Sequence, residues 1–306
     1  MRCFTIPLLL LGVATSPVHA SDAEDWLGRI AKAEQRSFQG VFIYEKSGSF
    51  SSHQIWHLAR NGEVSEKLLQ LDGPPIETIR VDGQPQCVTA GFSAPLAATS
   101  LVGNGFDVER LKRSYHMKVL GESRVAARSA QVIGLLPKDQ HRYGLEVHID
   151  SELGVPLKLL LVSDGGQLLE RFQFTQLSPE APVAALLEPD GECIANARKP
   201  GAARVETGWR PDWVPAGFES RAVRQASEAG AVVLNYGDGL ANFSIFIEPV
   251  SDPAAGDARS QVGPTSVVSK RLNTGETDYM VTVVGEIPLG TAERIALSTT
   301  SEPPKR

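Results

Sequence analysis

The residues of this 306-residue chain best suited to chemistry are two histidines and one short polar cluster. His53 and His57 share a face of a predicted strand, and they could bind a metal ion if a carboxylate or a third imidazole converged on them. We prefer the alternative, that both are surface side chains. The cluster 138–143 collects acidic, basic and aromatic groups at the entrance of another strand, as an acid–base site could. We prefer a structural ion pair between Asp139 and Arg142, or a docking surface for another protein, to catalysis.

The motifs that mark many enzyme families are missing from the sequence. It contains no G-x-S-x-G turn, no phosphate-binding glycine loop and no H-E-x-x-H pair. The formal net charge of −6 falls to about −7 without the predicted leader, which disfavours binding to a phosphate backbone. We therefore predict a protein that is not an enzyme, needs no cofactor or metal and does not bind nucleic acid.

The N-terminus has the pattern of a secretory signal peptide. Arg2 precedes the apolar run Ile6–Val13, and Val18-His19-Ala20 then forms a small-residue cleavage site, so residues 1–20 are predicted to be removed. The apolar run is too short to span a bilayer, and the mature protein is expected to be a soluble exported one that begins near Ser21. Cys87 and Cys193 remain there, either as a disulfide or as two separate buried thiols.

The elements that would position these residues begin with an antiparallel meander between Val125 and Leu177. Its strands are predicted by apolar runs, by period-two alternation and by turn residues such as Ser163-Asp164-Gly165-Gly166. One strand, Leu157–Val162, is apolar on both faces except at Lys158, so both faces should be covered, by a core element and by a second layer or a cavity. From this strand alone we prefer the simpler interpretation, an ordinary central strand in a two-layer core. The predicted strands are Ala130–Leu136, Tyr143–Ile149, Pro156–Val162 and Leu168–Thr175.

The rest of the chain predicts a helix and a meander before this region and a smaller domain after it. The helix Ser21–Arg36 has one apolar face and should pack on a sheet built from Gly40–Val81. Domain boundaries are predicted at 21–178, with a proline-rich linker at 179–205 and a mostly-β domain at 206–300. Smaller predicted features are a mobile loop Ala90–Gly105, a helix Asp107–Tyr115 capped by Asp107, a flexible loop Ser251–Gly263 and a helix Thr291–Ser298 capped by Thr291.

Several motifs of this chain resemble those of the MucB/RseB family of periplasmic regulators of AlgU/RpoE-type envelope-stress sigma factors. They run through both predicted domains in the same order. The family pattern V-A-G-R differs from Val125-Ala126-Ala127-Arg128 at Ala127, which matters only if that backbone needs a positive φ. The matching segments are Gly40–Tyr44, Leu69–Pro75, Ile79-Arg80, Val125–Arg128, Pro137–Asp139 with Arg142-Tyr143, Pro215–Phe218, Asp238–Leu240 with Ser244–Phe246, and Val283–Pro288.

The resemblance implies an α+β protein with an N-terminal open antiparallel β-barrel like those of LolA and LppX, with helices, and a smaller mostly-β C-terminal domain. It implies a negative regulator that binds the periplasmic domain of a single-pass, MucA/RseA-like anti-sigma factor and shields it from site-1 proteolysis. Lipid A, lipopolysaccharide fragments or acyl chains would relieve that block. The rival hypothesis is a periplasmic carrier of lipid or lipoprotein, for which the second domain would be unnecessary. The oligomeric state, including a homodimer, stays open.

Two groups of candidate residues follow from these hypotheses. The candidates for partner binding are polar or aromatic residues of the family motifs, namely Asp139, Arg142, Tyr143, Asp238 and Phe246. The candidates for a lipid-binding cavity are large apolar residues of the predicted strands, namely Phe42, Tyr44, Trp56, Leu58, Leu69, Leu71, Leu159 and Leu160.

Overall fold

The computed structural model describes residues 20–74, 76–89, 106–189, 194–195, 207–225, 231–250, 256–275 and 277–301. Its helices are α1 (Ala20–Ala33), α2 (Val108–Leu111) and α3 (Leu289–Ser298), with a 3-10 helix at Ala184–Leu187. The strands of the first part are β1 (Phe38–Lys46), β2 (Ser49–Arg60), β3 (Glu63–Gln70), β4 (Ile76–Val81), β5 (Gln84–Val88), β6 (Tyr115–Val125), β7 (Arg128–Pro137), β8 (Gly144–Asp150), β9 (Pro156–Val162), β10 (Leu168–Ser178) and β11 (Ile194–Ala195). Those of the second part are β12 (Trp209–Pro211), β13 (Glu219–Gln225), β14 (Val232–Gly237), β15 (Asn242–Pro249), β16 (Ala258–Val262), β17 (Thr265–Asn273), β18 (Asp278–Gly285) and β19 (Thr299–Ser301).

The large sheet is antiparallel and open. Its strand order is β11-β5-β4-β3-β2-β1-β10-β9-β8-β7-β6, so the N-terminal meander and the later meander join where β1 pairs with β10. Because β11 and β6 lie at opposite ends of this order, the sheet does not close on itself. The prediction of an α+β fold with an open antiparallel sheet and helices is confirmed.

One face of the large sheet, which we call the inner face, carries the main core and is covered by α1. The apolar positions Ala23, Leu27, Ile30 and Ala33 recur at helical spacing and are all buried. They belong to one cluster with residues of β1, β2, β7, β9 and β10. Burial of this stripe, rather than helix propensity, is the main source of the helix's stability.

The other face, the outer face, is only partly covered. Trp56 lies on it with Lys67 as its cross-strand neighbour, and the Lys67 ammonium lies 5.7 Å from the indole centroid. That ammonium also donates to the Glu188 carbonyl at 2.7 Å, which ties the chain after the 3-10 helix to the outer face. On β9, Leu157 and Leu159 are buried on the inner face, whereas Lys158 and Leu160 on the outer face are half-buried. The prediction that both faces of this strand are covered is therefore right for the inner face alone.

The second sheet is a six-stranded antiparallel sheet in the order β13-β14-β15-β18-β17-β16. Its core is formed by alternating residues of the central strands together with Ile287, Ala292 and Ile295. The short pair β12–β19 adds the segment around Trp209, whose ring contacts Tyr279. Within the described residues, no helix is long and apolar enough to cross a membrane.

Most predicted elements lie where the sequence placed them, but several boundaries and two loops differ. The Asp107 cap is confirmed, since its carboxylate accepts from the Arg110 amide at 3.0 Å, although α2 is shorter than predicted. The Thr291 cap is wrong, because α3 begins two residues earlier after Pro288. The segment predicted as a loop at 251–263 contains the edge strand β16, and the predicted linker contains β11. The predicted loop Ala90–Gly105 lies outside the described residues.

Candidate functional site

The candidate site is the contact between the two sheets, and Arg142 lies at its centre. The guanidinium binds Asp139 through two parallel hydrogen bonds, from Nε to Oδ1 at 3.0 Å and from Nη2 to Oδ2 at 2.9 Å. Its Nη1 donates to Asp238 Oδ2 at 2.6 Å, and Nη2 also donates to the Ala216 carbonyl at 2.6 Å. The predicted ion pair between Asp139 and Arg142 is confirmed, and it extends into the second sheet.

Asp238 is buried from solvent but has a full set of hydrogen-bond donors. Its Oδ1 accepts from the backbone amides of Leu240 and Ala241, at 2.9 and 2.8 Å, which closes the turn between β14 and β15. Its Oδ2 accepts from Arg142 and from the Tyr115 hydroxyl, the latter at 3.2 Å. A buried carboxylate is tolerated only when it is paired and hydrogen-bonded in this way.

The charges of this network shift the pKa values of its members. Burial acts to raise the pKa of Asp139, but the hydrogen bonds from Arg142 and from the His141 amide outweigh it, and the pKa lies below its ordinary value. Burial acts to lower the pKa of Arg142, and its two carboxylate partners hold it above the ordinary value instead. Burial and the charge of Asp238 raise the pKa of Tyr115. Asp139 and Arg142 are therefore ionised at neutral pH, and Tyr115 is a neutral donor.

The residues on either side of Arg142 also contact the second sheet. The Tyr143 hydroxyl donates to the Ile287 carbonyl and accepts from the Gln261 amide, each at 3.1 Å. His141 Nδ1 lies 3.1 Å from the Thr291 hydroxyl, and the histidine ring packs edge-on against Trp213. The turn between β7 and β8 thus docks onto the second sheet through three successive side chains.

Further polar contacts flank this centre on two sides. On one side Arg110 donates to the Gly237 carbonyl at 2.5 Å, and Arg110 and Arg113 both pair with Glu219. On the other side the Lys46 ammonium donates to the Thr265 hydroxyl at 3.0 Å. Contacts at three places across one face fix the orientation of the two sheets, because no rotation about a single contact would preserve the others.

The structure brings together most of the predicted partner-binding residues, but as an internal contact. Arg142 and Asp238 are 1% and 0% exposed, so they are not on an exposed docking surface in this conformation. Tyr143 is buried beside them. Asp139 keeps 30% of its side chain exposed, and Phe246 is half-buried on β15, on the face opposite Ile245 and Ile247.

The predicted cavity residues divide between the two faces of the large sheet. Phe42 and Leu159 are buried in the inner core, and Tyr44 packs against it. The residues Trp56, Leu58, Leu69 and Leu160 point to the outer face, and Leu71 follows β3 with 44% of its surface exposed. These eight residues therefore cannot form one continuous wall. A small hollow, partly open to solvent, lies on the inner face and is lined by Ile55, Glu66, Leu68, Thr78 and Arg80.

His53 and His57 are also on the inner face, and the prediction of two surface side chains is wrong. Both are buried, and their rings stack on Phe42 and Phe38. A carboxylate does converge on His57, from Glu66 at 2.8 Å, but the described residues contain no cluster of three metal-ligating side chains.

The polar residues of the inner face and the role of Tyr115 were not predicted from the sequence. The available signal was spacing: Glu66 is two residues from Leu68, and Arg80 is two residues from Thr78. Residues two apart on a strand share a face, so these charged groups lie on the core-facing side. The partners of Asp238 gave no such signal, because they come from elements about one hundred residues away.

Comparison with known proteins identifies two matching family profiles and several relatives. The profile of the MucB/RseB N-terminal domain matches residues 22–190, and that of the MucB/RseB C-terminal domain matches residues 203–300. The Pseudomonas aeruginosa protein named sigma factor AlgU regulatory protein MucB is 50% identical over 307 residues, with 96% of each chain covered. A structure of the Pseudomonas aeruginosa MucA/MucB complex aligns with a TM-score of 0.81 at 50% identity, over 92% of this chain and 99% of that one. A crystal structure of MucB aligns with a TM-score of 0.68 at 49% identity, over 92% of this chain and 98% of that one.

Proposed function

The chain belongs to the MucB/RseB family, and from this premise we propose that it regulates a sigma factor from the periplasm by binding the periplasmic part of a membrane-anchored anti-sigma factor. Binding would shield that segment from site-1 proteolysis, and a lipid or lipopolysaccharide signal would release it. The observation that carries the proposal is the likeness to the MucA/MucB complex, which extends over 92% of this chain and therefore includes both sheets.

The site geometry supports two different roles for the partner-binding candidates. Arg142, Asp238 and Tyr143 would act by fixing the orientation of the two sheets, since their polar atoms are used within the chain. Asp139 and Phe246 retain exposed surface and would be free to touch the partner directly. Two sheets held at a fixed angle can present one composite surface, whereas two loosely tethered sheets would lose affinity through the cost of ordering them.

The proposal is tested in two steps: binding of the anti-sigma factor segment, and then protection of that segment from cleavage. The protein without residues 1–20 is mixed with the periplasmic segment of its anti-sigma factor, and affinity is measured by isothermal titration calorimetry. The rate of cleavage of that segment by the site-1 protease is then measured with and without the protein. We expect a specific complex and cleavage at least tenfold slower at saturating protein.

Two outcomes would contradict it. Failure of the two to bind would remove the regulatory function, and binding that leaves the cleavage rate unchanged would remove the shielding step. The matched control is Asp164→Asn, a change in an exposed turn between β9 and β10 that keeps the oxygen accepting from the Gly165 amide. This variant should bind and protect as the unmodified protein does.

A further inference from the structure

Three arginines, Arg110, Arg113 and Arg221, converge at one side of the contact between the two sheets, and we call them the arginine cluster. Arg110 and Arg113 lie in and just after α2, whereas Arg221 lies on β13, the edge strand of the second sheet. Arg110 and Arg113 both pair with Glu219, from Nη2 to Oε2 at 3.3 Å and from Nη1 to Oε1 at 2.9 Å. The side chains of Arg113 and Glu219 are 63% and 54% exposed, so the cluster can be reached from solvent.

A β-bulge directs Arg221 into this cluster. The pairing of β13 with β14 shifts register between Ser220 and Ala222, so Arg221 is the extra residue of the bulge. Bulges change the direction in which the side chains of a strand point. The Arg221 guanidinium lies against Gly237, where an added Cβ atom would be 2.7 Å from Nε, so a larger residue at that position would displace it.

Arg110 contacts the same glycine. Its Nη2 donates to the Gly237 carbonyl at 2.5 Å, so two guanidiniums lie on one short stretch of backbone. Partial burial lowers the pKa of Arg221, the charge of Arg110 lowers it further, and the charges of Asp238 and Glu219 act in the opposite direction. The fold therefore holds two like charges close together, and an anion bound beside them would offset their repulsion.

The nearby carboxylates do not balance the arginine cluster. Asp238 is already bound by the buried guanidinium at the centre of the site. Glu24 and Glu109 both pair with the Lys112 ammonium, at 3.0 Å each. In the described part of the chain, Glu219 is thus the carboxylate with which the cluster itself pairs, and three positive charges face one negative charge. Such a surplus, at the surface of a chain with a formal net charge of −6, favours an anionic partner.

We propose that Arg110, Arg113 and Arg221 form a binding site for the carboxylate side chains of an acidic stretch in the anti-sigma factor segment. The inference rests on the proposed function, because it names the chemistry by which that partner is recognised. Guanidinium groups bind carboxylates through paired N–H donors, and arginine clusters are a recurring means of recognising acidic motifs. Two of the arginines belong to the first part of the chain and one to the second, so the bound stretch bridges both sheets. Glu219 pairs with the cluster when the partner is absent and competes with it when the partner arrives.

The first test compares three probes on the whole mature protein by isothermal titration calorimetry: hexaglutamate, hexaglutamine and inorganic phosphate. The salt concentration is about 0.1 M, at which charges more than about 10 Å away are largely screened. We expect hexaglutamate to bind roughly tenfold more tightly than the other two, because hexaglutamine lacks the charge and one phosphate contacts fewer guanidiniums than several carboxylates do. Equal affinity of hexaglutamine would overturn the role of charge. Equal affinity of inorganic phosphate would overturn the acidic peptide and leave a plain anion site.

Four variants assign the binding to the cluster. Arg113→Gln and Arg221→Gln should each weaken hexaglutamate binding roughly tenfold. Glu219→Gln should instead tighten it, because the amide keeps an oxygen acceptor for the guanidiniums but no longer competes as an anion. The matched control is Arg259→Gln, which removes an exposed arginine 3.8 Å from Glu293 on the opposite edge strand of the second sheet and should change nothing.

Two results would refute the site. One is unaltered hexaglutamate binding in both Arg113→Gln and Arg221→Gln. The other is weaker binding in Glu219→Gln, since a cluster that acts only by holding the two sheets together would lose affinity whichever partner of the ion pair is removed.

Binding of the anti-sigma factor segment is measured separately in the same preparations. Its affinity should follow that of hexaglutamate, weaker in Arg221→Gln and tighter in Glu219→Gln. Identical affinity for the segment in all four variants would refute the inference and leave the proposed function intact. Failure of the unmodified protein to bind the segment, whatever hexaglutamate does, would refute the proposed function and with it the identity of the partner, so the two failures are distinguishable.

Discussion

The turn between β6 and β7 places two alanines in backbone conformations that L-residues rarely adopt. Val125 pairs with Arg128, so Ala126 and Ala127 form a two-residue hairpin loop, with φ angles of +49° and +61°. Positive φ at both central residues defines the type I′ turn, whose preferred residues are asparagine and glycine. The difference from the family pattern at Ala127 therefore falls where a positive φ is required, and it costs stability.

We predict that Ala127→Gly stabilises the protein by about 1 kcal/mol, because an L-residue in the left-handed region costs about 1–2 kcal/mol and glycine gives part of this back as unfolded-chain entropy. The midpoint of urea unfolding should rise. Ala130→Gly is the matched control: Ala130 is buried on β7 at ordinary φ, so this change should lower the midpoint. A midpoint that stays constant or falls in Ala127→Gly would show that the turn is not strained.

Glu286 gives a second residue-scale prediction, on pH. It follows β18 at the contact between the sheets, where burial and the charge of Glu170 raise its pKa to about 7, against an opposing effect of Lys46. In the unfolded chain its pKa is near 4.5, so between pH 4.5 and 7 the folded protein holds a proton that the unfolded chain releases. Stability from this group is thus fully present below pH 4.5 and is lost as pH rises through 7.

Glu286→Gln should remove most of that pH dependence and stabilise the protein at pH 8 by on the order of 2–3 kcal/mol, since the uncharged amide mimics the protonated acid. The measurement is the free energy of unfolding at intervals from pH 4.5 to 8. Parallel profiles for the variant and the unmodified protein would refute the assignment. Glu293→Gln, an exchange within the ion pair to Lys270 on the surface of the second sheet, should leave the slope unchanged.

At the scale of elements, the strands that can be predicted from the sequence are those with one face buried in the core. Strand β9 matches the predicted range Pro156–Val162 at both ends, since it is an apolar run interrupted only by Lys158. Strand β16 was predicted as loop because all five of its residues are exposed and no apolar period marks an edge strand. Such a strand is specified by its pairing with β17, which is tertiary information that a local pattern does not contain.

Strand β11 is the basis of a prediction about the disulfide. Cys87 is disulfide-bonded. Ile194 pairs with Val88 and Ala195 pairs with Cys87, so the two residues that follow position 193 lie against β5. Because Cys3 would be removed with the leader, we predict the pair Cys87–Cys193. It closes a loop of roughly one hundred residues, so reduction should destabilise the mature protein by about 4 kcal/mol.

Thiol titration of the unfolded, unreduced mature protein should find no free thiol. Cys193→Ser should expose one, and in the double variant Cys87→Ser, Cys193→Ser the unfolding midpoint should not respond to reductant. Two free thiols in the unmodified protein would exclude this pairing. The predicted linker would then be attached to the first domain by the short pairing of β11 and by the contacts of the 3-10 helix.

At the scale of the whole molecule, the two sheets are joined by polar contacts more than by a shared apolar core. The two apolar clusters contain different residues, and the contact between them is centred on the buried pair of Arg142 and Asp238. The family motifs in the sequence identified both residues as candidates. Their pairing was not predicted, because the contact crosses between the sheets and depends on the final packing. The chain aligns with the MucA/MucB complex at a TM-score of 0.81 and with a crystal structure of MucB at 0.68, at almost the same identity, so the two alignments differ in geometry rather than in sequence.

The last prediction is that breaking the pair of Arg142 and Asp238 weakens partner binding, because the relative orientation of the two sheets is then no longer fixed. Asp238→Asn keeps the side-chain size but leaves the buried Arg142 with a single anionic partner, which should cost about 3 kcal/mol of stability. Arg142→Met should cost a similar amount, and the double variant should cost less than the sum of the two, because the charges are coupled. Urea unfolding of the four proteins measures the coupling energy, with Asp164→Asn as the exposed control.

The anti-sigma factor segment should bind both single variants at least tenfold more weakly, and the radius of gyration from small-angle scattering should increase, since the sheets are no longer held at one angle. Both effects are expected together with the loss of stability, because the two residues are buried and contact each other. Weak binding in a variant of normal stability and unchanged radius would instead mean that Arg142 or Asp238 touches the partner, and that the two sheets separate when the complex forms. Normal binding in both variants would leave the contact a purely structural one.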